Sequence, residues 1–306
     1  MKTLREILHD ADVRHVAVGH FNISELGALK GIFTGAQQLS VESGAAVGAP
    51  DGKIPILIGV SEGEREFIGV KQAVALIRSI REEYQYPIFL NADHTHTLDN
   101  VRAAAEAGFD EILFDGSALS MEENLKQTLE AVKIIRTIDA TIVVEGEIGY
   151  IGASSEIIAE RPTESLKLST PEEAVRFVKE TGIDVLAPAV GNMHGLLKTM
   201  VEGTAKKRLD LARIAEIKNA ITAAGVSWMT LHGGSDTDDN DFKAAVAAGM
   251  TIVHVSSELR LAWRRGIEEG LAAHPDEIAP YKILPPAVEK IKEVVKGRLK
   301  LFNGLG

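Results

Sequence analysis

Eight short runs rich in Val, Ile and Leu recur along the chain, spaced by longer amphipathic stretches of helical period. They are Val16 to Phe21, Pro55 to Val60, Pro87 to Ala92, Glu111 to Phe114, Thr141 to Glu147, Val185 to Val190, Trp228 to Leu231 and Thr251 to Val255. A strand covered on both faces reads as a nearly continuous apolar run, and parallel strands need long crossover connections, usually helices. Eight such units predict a closed (β/α)8 TIM barrel of the α/β class. The length, 306 residues, suits one barrel, and 45% hydrophobic residues supply a large core. A single domain over residues 1–306 is expected.

The predicted outer helices are Glu25 to Leu39, Glu66 to Tyr84, Leu98 to Ala107, Met121 to Ile138, Pro171 to Thr181, Leu209 to Ala223, Asn240 to Ala248 and Leu259 to Ala272. Each carries apolar residues three and four apart, the spacing that puts them on one helical face. Gly108 and Gly249 stand where a helix must stop before the next strand, a place for the left-handed C′ conformation. Pro286 to Phe302 reads as a C-terminal helical extension. Two connections, Tyr150 to Ser169 and Met193 to Arg208, are too long for ordinary barrel loops and are expected to act as lids.

The net charge of -11 argues against nucleic-acid binding, which needs clustered Lys and Arg. With no cysteine, thiolate ligands and disulfides are excluded, so any metal must use His, carboxylate or water. The first residues lack the apolar core of a signal peptide, and no apolar run is long enough to span a bilayer. A cytoplasmic protein without membrane contact is expected.

Chemically unusual residues collect at the predicted C-terminal strand ends. Strand three ends in Asp93-His94-Thr95-His96 and strand four in Asp115-Gly116-Ser117. Strand five carries Glu145-Gly146-Glu147, strand six runs into His194-Gly195, and strand seven into His232-Gly233-Gly234-Ser235. Barrel enzymes place their sites on this face. One histidine at a strand end is more often a hydrogen-bonded rim residue than a ligand. Three from separate strands, His94, His194 and His232, beside Asp93 and Glu147, make a zinc-type site with an open position. His96 either takes part or orients a neighbour, whereas His9, His15 and His274 read as surface residues. A Gly233-Gly234-Ser235 turn lets backbone N–H groups approach a phosphate, with the serine hydroxyl adding a donor. The bland reading of that run is a simple turn.

With these pieces placed, the sequence resembles the class II fructose- and tagatose-bisphosphate aldolases. The motifs NADHTHTLDN, ILFDGSAL, VEGEIG, AVGNMHG and LHGGS carry the likeness, which covers nearly the whole chain. The resemblance implies reversible aldol cleavage of a ketose bisphosphate, with Asp93 as the proton-transferring acid. It implies His94, His194 and His232 as ligands of zinc or another divalent ion, with Glu147 as the carboxylate near the metal. The turns at Gly195 and at Gly233, Gly234 and Ser235 would grip phosphate, and backbone groups there would bind a monovalent cation. Asn22 and Ser61, which follow the first two strands, and Ser256 and Ser257 after the eighth are expected on the substrate side. A homo-oligomer, dimer or tetramer, is expected as well. As neighbours on a strand end, Asp93 and His94 should aim in different directions.

Two departures stand out. His254 replaces an Asn that relatives carry on strand eight, so its imidazole is expected at the substrate. In the loop of residues 152–156 only Glu156 remains as a base candidate, after Ser154 and Ser155. A Schiff-base mechanism would need a lysine projecting from a strand, and none is predicted there: Lys53 precedes strand two and Lys198 lies in a loop. A class II-like aldolase acting on a different ketose phosphate is one alternative, and a catalytically silent sugar-phosphate-binding barrel is another, opposed by the retention of Asp93 beside three metal-type histidines.

Overall fold

The structure, a computed structural model, describes residues 1–44, 52–152, 157–158 and 168–305. Eight parallel strands close into a barrel: β1 (Val18–Asn22), β2 (Ile56–Val60), β3 (Ile88–Thr95), β4 (Glu111–Phe114), β5 (Val143–Ile148), β6 (Val185–Pro188), β7 (Trp228–Leu231) and β8 (Ile252–Val255). Each pairs with its sequence neighbours, and β1 closes the ring on β8 with Val18 opposite Ile252 and His20 opposite His254. This is the TIM-barrel topology that the alternation of runs predicts, within a few residues at each strand end.

Around it stand α1 (Leu4–Arg14), α2 (Leu26–Ser43), α3 (Glu62–Ile68), α4 (Val70–Tyr84), α5 (Leu98–Ala107), α6 (Met121–Ile138), α7 (Pro171–Thr181), α8 (Leu211–Ala223), α9 (Asp239–Ala247), α10 (Ser257–Ala273) and α11 (Pro285–Phe302). Two elements depart from the sequence reading. The helix expected over residues 66–84 is two helices broken at Gly69, whose φ of 96° belongs to glycine. The amino-terminal helix α1 is not among the helices expected from the sequence. A Thr3–Glu6 capping box starts it, and Leu4, Leu8 and Ala11 are buried against the bottom of the barrel. In the second long connection, Leu196–Leu197 pairs in parallel with Ile157–Ile158 of the first, joining the two lid candidates.

The strands sort their side chains into an inside and an outside. Outward residues such as Phe21, Ile58, Leu90 and Ile112 pack under the helices in one continuous core. The lower inside layer is apolar, with Val18, Leu57, Phe89, Val143, Val185 and Ile252 buried on α1. One step up, on six of the eight strands, the buried residues turn polar: His20, Asn91, Glu111, Glu145, Thr230 and His254. The carboxyl end of the barrel is thus built of groups that must find partners, and the amino end of groups that need none. At the seam, α11 lies across α2 and α10. A Cβ at Gly266 would stand 2.2 Å from Ala287 Cα, so only glycine allows that approach. Among the described residues no helix is long and apolar enough to cross a membrane.

Candidate active site

The site begins with an irregularity in β3. Its register with β4 shifts between Ala92 and Thr95, and within that bulge His94 adopts a left-handed φ of 42°. Such a conformation in a non-glycine residue is costly and persists only where the surroundings fix it. The buried Arg65 of α3 does so, donating to Val60 O (2.6 Å), Asp93 O (3.1 Å) and Thr95 Oγ1 (3.0 Å). Asp93 and His94 consequently face the same cavity, their Oδ1 and Nε2 atoms 3.7 Å apart. The expectation that they aim apart fails because the strand is not flat there.

His94, His194 and His232 each offer a ring nitrogen, all within 4.8 Å of one another. His194 Nε2 and His232 Nδ1 are buried without a hydrogen-bond partner. The outer edges of His94 and His232 are tied down: His94 Nδ1 pairs with Asp115 Oδ2 and His232 Nε2 with Glu145 Oε1, both at 2.7 Å. A carboxylate on one nitrogen with the other left free is how proteins orient imidazole for a metal. The residues therefore fit a divalent ion. Glu147 is not part of this trio. It stands at the Nδ1 edge of His94, 3.8 Å away, and with His94 and Asp115 forms a second group whose ligand atoms lie close enough to hold an ion.

Electrostatics point the same way. Burial drives the His94 imidazolium down, but Asp93, then Asp115 and Glu147, outweigh it and hold the ring up at about 10. Burial, followed by the charge of His94, pushes His232 down to about 3 and His194 well below the usual histidine value. The acidic surroundings thus favour positive charge at this point, while two of the three rings stay neutral, as ligands must be. Burial also works to raise Asp93, yet His94, His20, His232 and the Asn22 amide hold it below the usual carboxylate range. Its Oδ2 accepts from Asn22 Nδ2 at 2.9 Å, and its Oδ1 is buried and unpartnered.

A cavity of about 680 Å³ opens over this group, lined by Asn22, Ser61, Gly195, Gly233, Ser235, His254, Ser256 and Ser257 among others. Its far wall is the N-terminus of α10, where Ser235 Oγ accepts from the N–H groups of Ser256 and Glu258, both at 3.2 Å, and keeps its own proton to donate. Gly234 does not line the cavity. Its N–H is spent on His254 O at 3.1 Å, so it ties the turn to β8 instead of touching a ligand. His254 reaches the cavity but is only 4% exposed, sandwiched between His20 at 3.4 Å and His232 at 4.0 Å between ring centroids. His96 is exposed at the rim, as His9, His15 and His274 are elsewhere on the surface. Glu156, with Ser154 and Ser155, lies outside the described residues.

Several contributors escape the sequence reading. His20 looks like one polar residue in an apolar strand, and Gly59 makes room for it: a Cβ there would sit 2.0 Å from its ring. Arg260, the one Lys or Arg among the described lining residues, pairs with Glu64 at 2.7 Å. Glu64 also accepts from Asn22, linking Arg260 to Asp93. Lys207, near the end of the second long connection, is 3% exposed and reaches between the turns of His194 and His232. Only Asp115 and Glu145 had a signal, their place at strand ends.

The family model for fructose-bisphosphate aldolase class-II matches residues 2–306. Among curated proteins, the chain is 30% identical over 304 residues to the "Probable fructose-bisphosphate aldolase" of Bacillus subtilis (strain 168), covering 98% of this chain and 97% of that one. It is 28% identical over 307 residues to the fructose-bisphosphate aldolase of Geobacillus stearothermophilus, covering 99% and 97%. Among solved structures, the YdjI aldolase from Escherichia coli K12 superposes with a TM-score of 0.76 at 24% identity, covering 98% of this chain and 96% of that chain. Fructose-bisphosphate aldolase from Campylobacter jejuni gives 0.75 at 17% identity, covering 98% and 94%, and these two support the fold alone. The chain belongs to the class II fructose-bisphosphate aldolase family of lyases.

Proposed function

We propose that the chain cleaves a ketose 1,6-bisphosphate reversibly to dihydroxyacetone phosphate and an aldehyde such as glyceraldehyde 3-phosphate. The substrate would be the fructose or the tagatose isomer, which differ at C4. The observation that carries this reading is the cluster at the cavity floor: Asp93 has an unpartnered oxygen 3.7 Å from His94, and His194 and His232 beside it have unpartnered ring nitrogens. His94, His194 and His232 would hold the divalent ion, with zinc the best match to three imidazoles. When bound, the ion supplies the Lewis acidity that polarises the substrate ketone.

Asp93 takes the proton of the C4 hydroxyl. The C3–C4 bond then breaks, its electron pair passing to C3 as C4 becomes the aldehyde carbonyl; in synthesis Asp93 returns the proton to the aldehyde oxygen. Asn22 fixes the carboxylate through Oδ2 and leaves Oδ1 to act. Asp115 and Glu145 hold the His94 and His232 rings so that a proton on the outer nitrogen keeps the inner one free. Ser235, the N–H groups of the Gly195 and Gly233 turns, and Ser256 and Ser257 at the start of α10 receive a phosphate. Arg260 offers charge at the rim for the other.

The test is direct: assay zinc-loaded protein with fructose 1,6- and tagatose 1,6-bisphosphate. Release of dihydroxyacetone phosphate, abolished by a chelator and restored by divalent ion, is expected. No release from either sugar would remove this reading, and turnover surviving verified metal loss would remove the role of the three histidines.

A further inference from the structure

Two turns at the rim, one carrying His194 and the other following His232, point backbone carbonyls at a single buried spot. Met193 O and Gly195 O each lie 2.8 Å, and Gly233 O 3.0 Å, from Lys207 Nζ. An ammonium has three N–H donors and no acceptor, one for each of these oxygens. The arrangement is built, not incidental. Gly233 takes a φ of 59°, and a Cβ there would stand 2.4 Å from Met193 O, so glycine is what lets the turns close this far. The lysine backbone is clamped in turn. Its N–H donates to Asp236 O, its carbonyl accepts from Asp238, and it forms a parallel bridge with Thr237.

Converging backbone carbonyls that replace a hydration shell are how proteins hold an alkali cation. The resemblance noted above implies a monovalent cation held by backbone groups of these turns, yet here a side chain of the chain itself fills the position. Lys207 does not line the substrate cavity and has all three donors engaged, so it is not placed as a Schiff-base nucleophile. We propose that Lys207 is a tethered replacement for a monovalent cation. It draws the two turns together, sets His194 and His232 relative to each other, and keeps a positive charge under the phosphate end of the cavity without free potassium or sodium.

The experiment compares zinc-loaded wild type and Lys207→Ala in potassium, sodium, ammonium and choline chlorides at constant ionic strength, reading turnover, melting temperature and zinc content. Wild type should behave alike in all four salts. Lys207→Ala should lose about ten- to a hundredfold of turnover in choline chloride, the scale of hydrogen bonds to a charged group. Potassium or ammonium should restore it saturably and raise its melting temperature, with no such response in wild type. Lys207→Met, which fills the space without charge, should lose turnover and recover in none of the salts. Should Lys207→Ala fail to fold, Lys207→Ser in the same salts decides. A wild type that requires potassium or sodium would overturn the proposal. So would a variant fully active in choline chloride, or one that keeps its zinc yet responds to no monovalent cation in either turnover or melting. The turnover arm rests on the proposed aldol reaction, whereas the melting arm stands if that reaction fails.

Discussion

Asp93 and His94 are adjacent in sequence, and the β3 bulge turns them toward one cavity with different work for each. Replacing His94, His194 or His232 by Ala removes one of three nitrogens around one point, and zinc content after dialysis should fall far below one ion per chain in each case. Full occupancy in the triple variant would exclude the site. Asp93→Asn keeps the Asn22 contact within reach but cannot take a proton. It should retain zinc and lose about two to four orders of magnitude in kcat. A kcat within a few-fold of wild type, or a loss of zinc with it, would move Asp93 out of proton transfer and into ligand support. His254 belongs to a different argument. With Nδ1 3.6 Å from Asp93 Oδ1, too long for a hydrogen bond, it stands beside the oxygen that would receive the C4 proton. His254→Asn should shift the ratio of kcat/KM for fructose over tagatose 1,6-bisphosphate by about tenfold. An unchanged ratio with lowered stability would mean that the ring only fills the stack between His20 and His232.

At the scale of elements, α3 is the part that makes β3 chemically useful. Arg65 holds the bulge carbonyl, Glu64 joins Asn22 to Arg260, and Glu62 accepts the His96 N–H at 3.0 Å. Arg65→Met would leave Val60 O and Asp93 O without their donor and free His94 to relax from its left-handed φ. Zinc affinity should drop about ten- to a hundredfold, as for other residues that orient ligands, measured by competition with a chromophoric chelator. An unchanged affinity would show that the bulge holds itself. The strands and most outer helices were legible because a doubly covered strand and an amphipathic helix leave different periods in sequence. Strand-end residues were legible because barrel chemistry sits there. Helix α1 was not, since its fully buried positions, Leu4, Leu8 and Ala11, are few and its role as a plug exists only once the barrel is closed. The β3 bulge, the burial of Lys207 and the pairing of His20 with His254 depend on contacts between distant segments that no local pattern records.

Across the whole molecule the barrel is divided into a dry lower half, which supplies stability, and a polar upper half, which is stabilised only so far as its groups pair. Glu111 tests that division. It is fully buried, one oxygen accepting from Asn91 Nδ2 at 2.7 Å and the other without a partner. Burial first, then the neighbouring Glu145, raises its carboxyl well above the usual value of 4.5. A raised carboxyl binds its proton more tightly folded than unfolded. Its stabilising contribution is therefore complete below about pH 4.5 and is lost as pH climbs toward the folded value, by up to about 1.4 kcal/mol per pH unit for one proton. Glu111→Gln keeps the shape and the Asn91 neighbour while removing the proton. The variant should match or fall slightly below wild type near pH 5 and surpass it progressively toward pH 9 in chemical denaturation, with its pH slope correspondingly flatter. Parallel stability curves would mean that Glu111 is ionised in the folded barrel and paired more closely than its one hydrogen bond indicates. The divergent result would instead mark the polar layer as a place where the fold gives up stability so that Asp93 and the histidines above it have a polar floor.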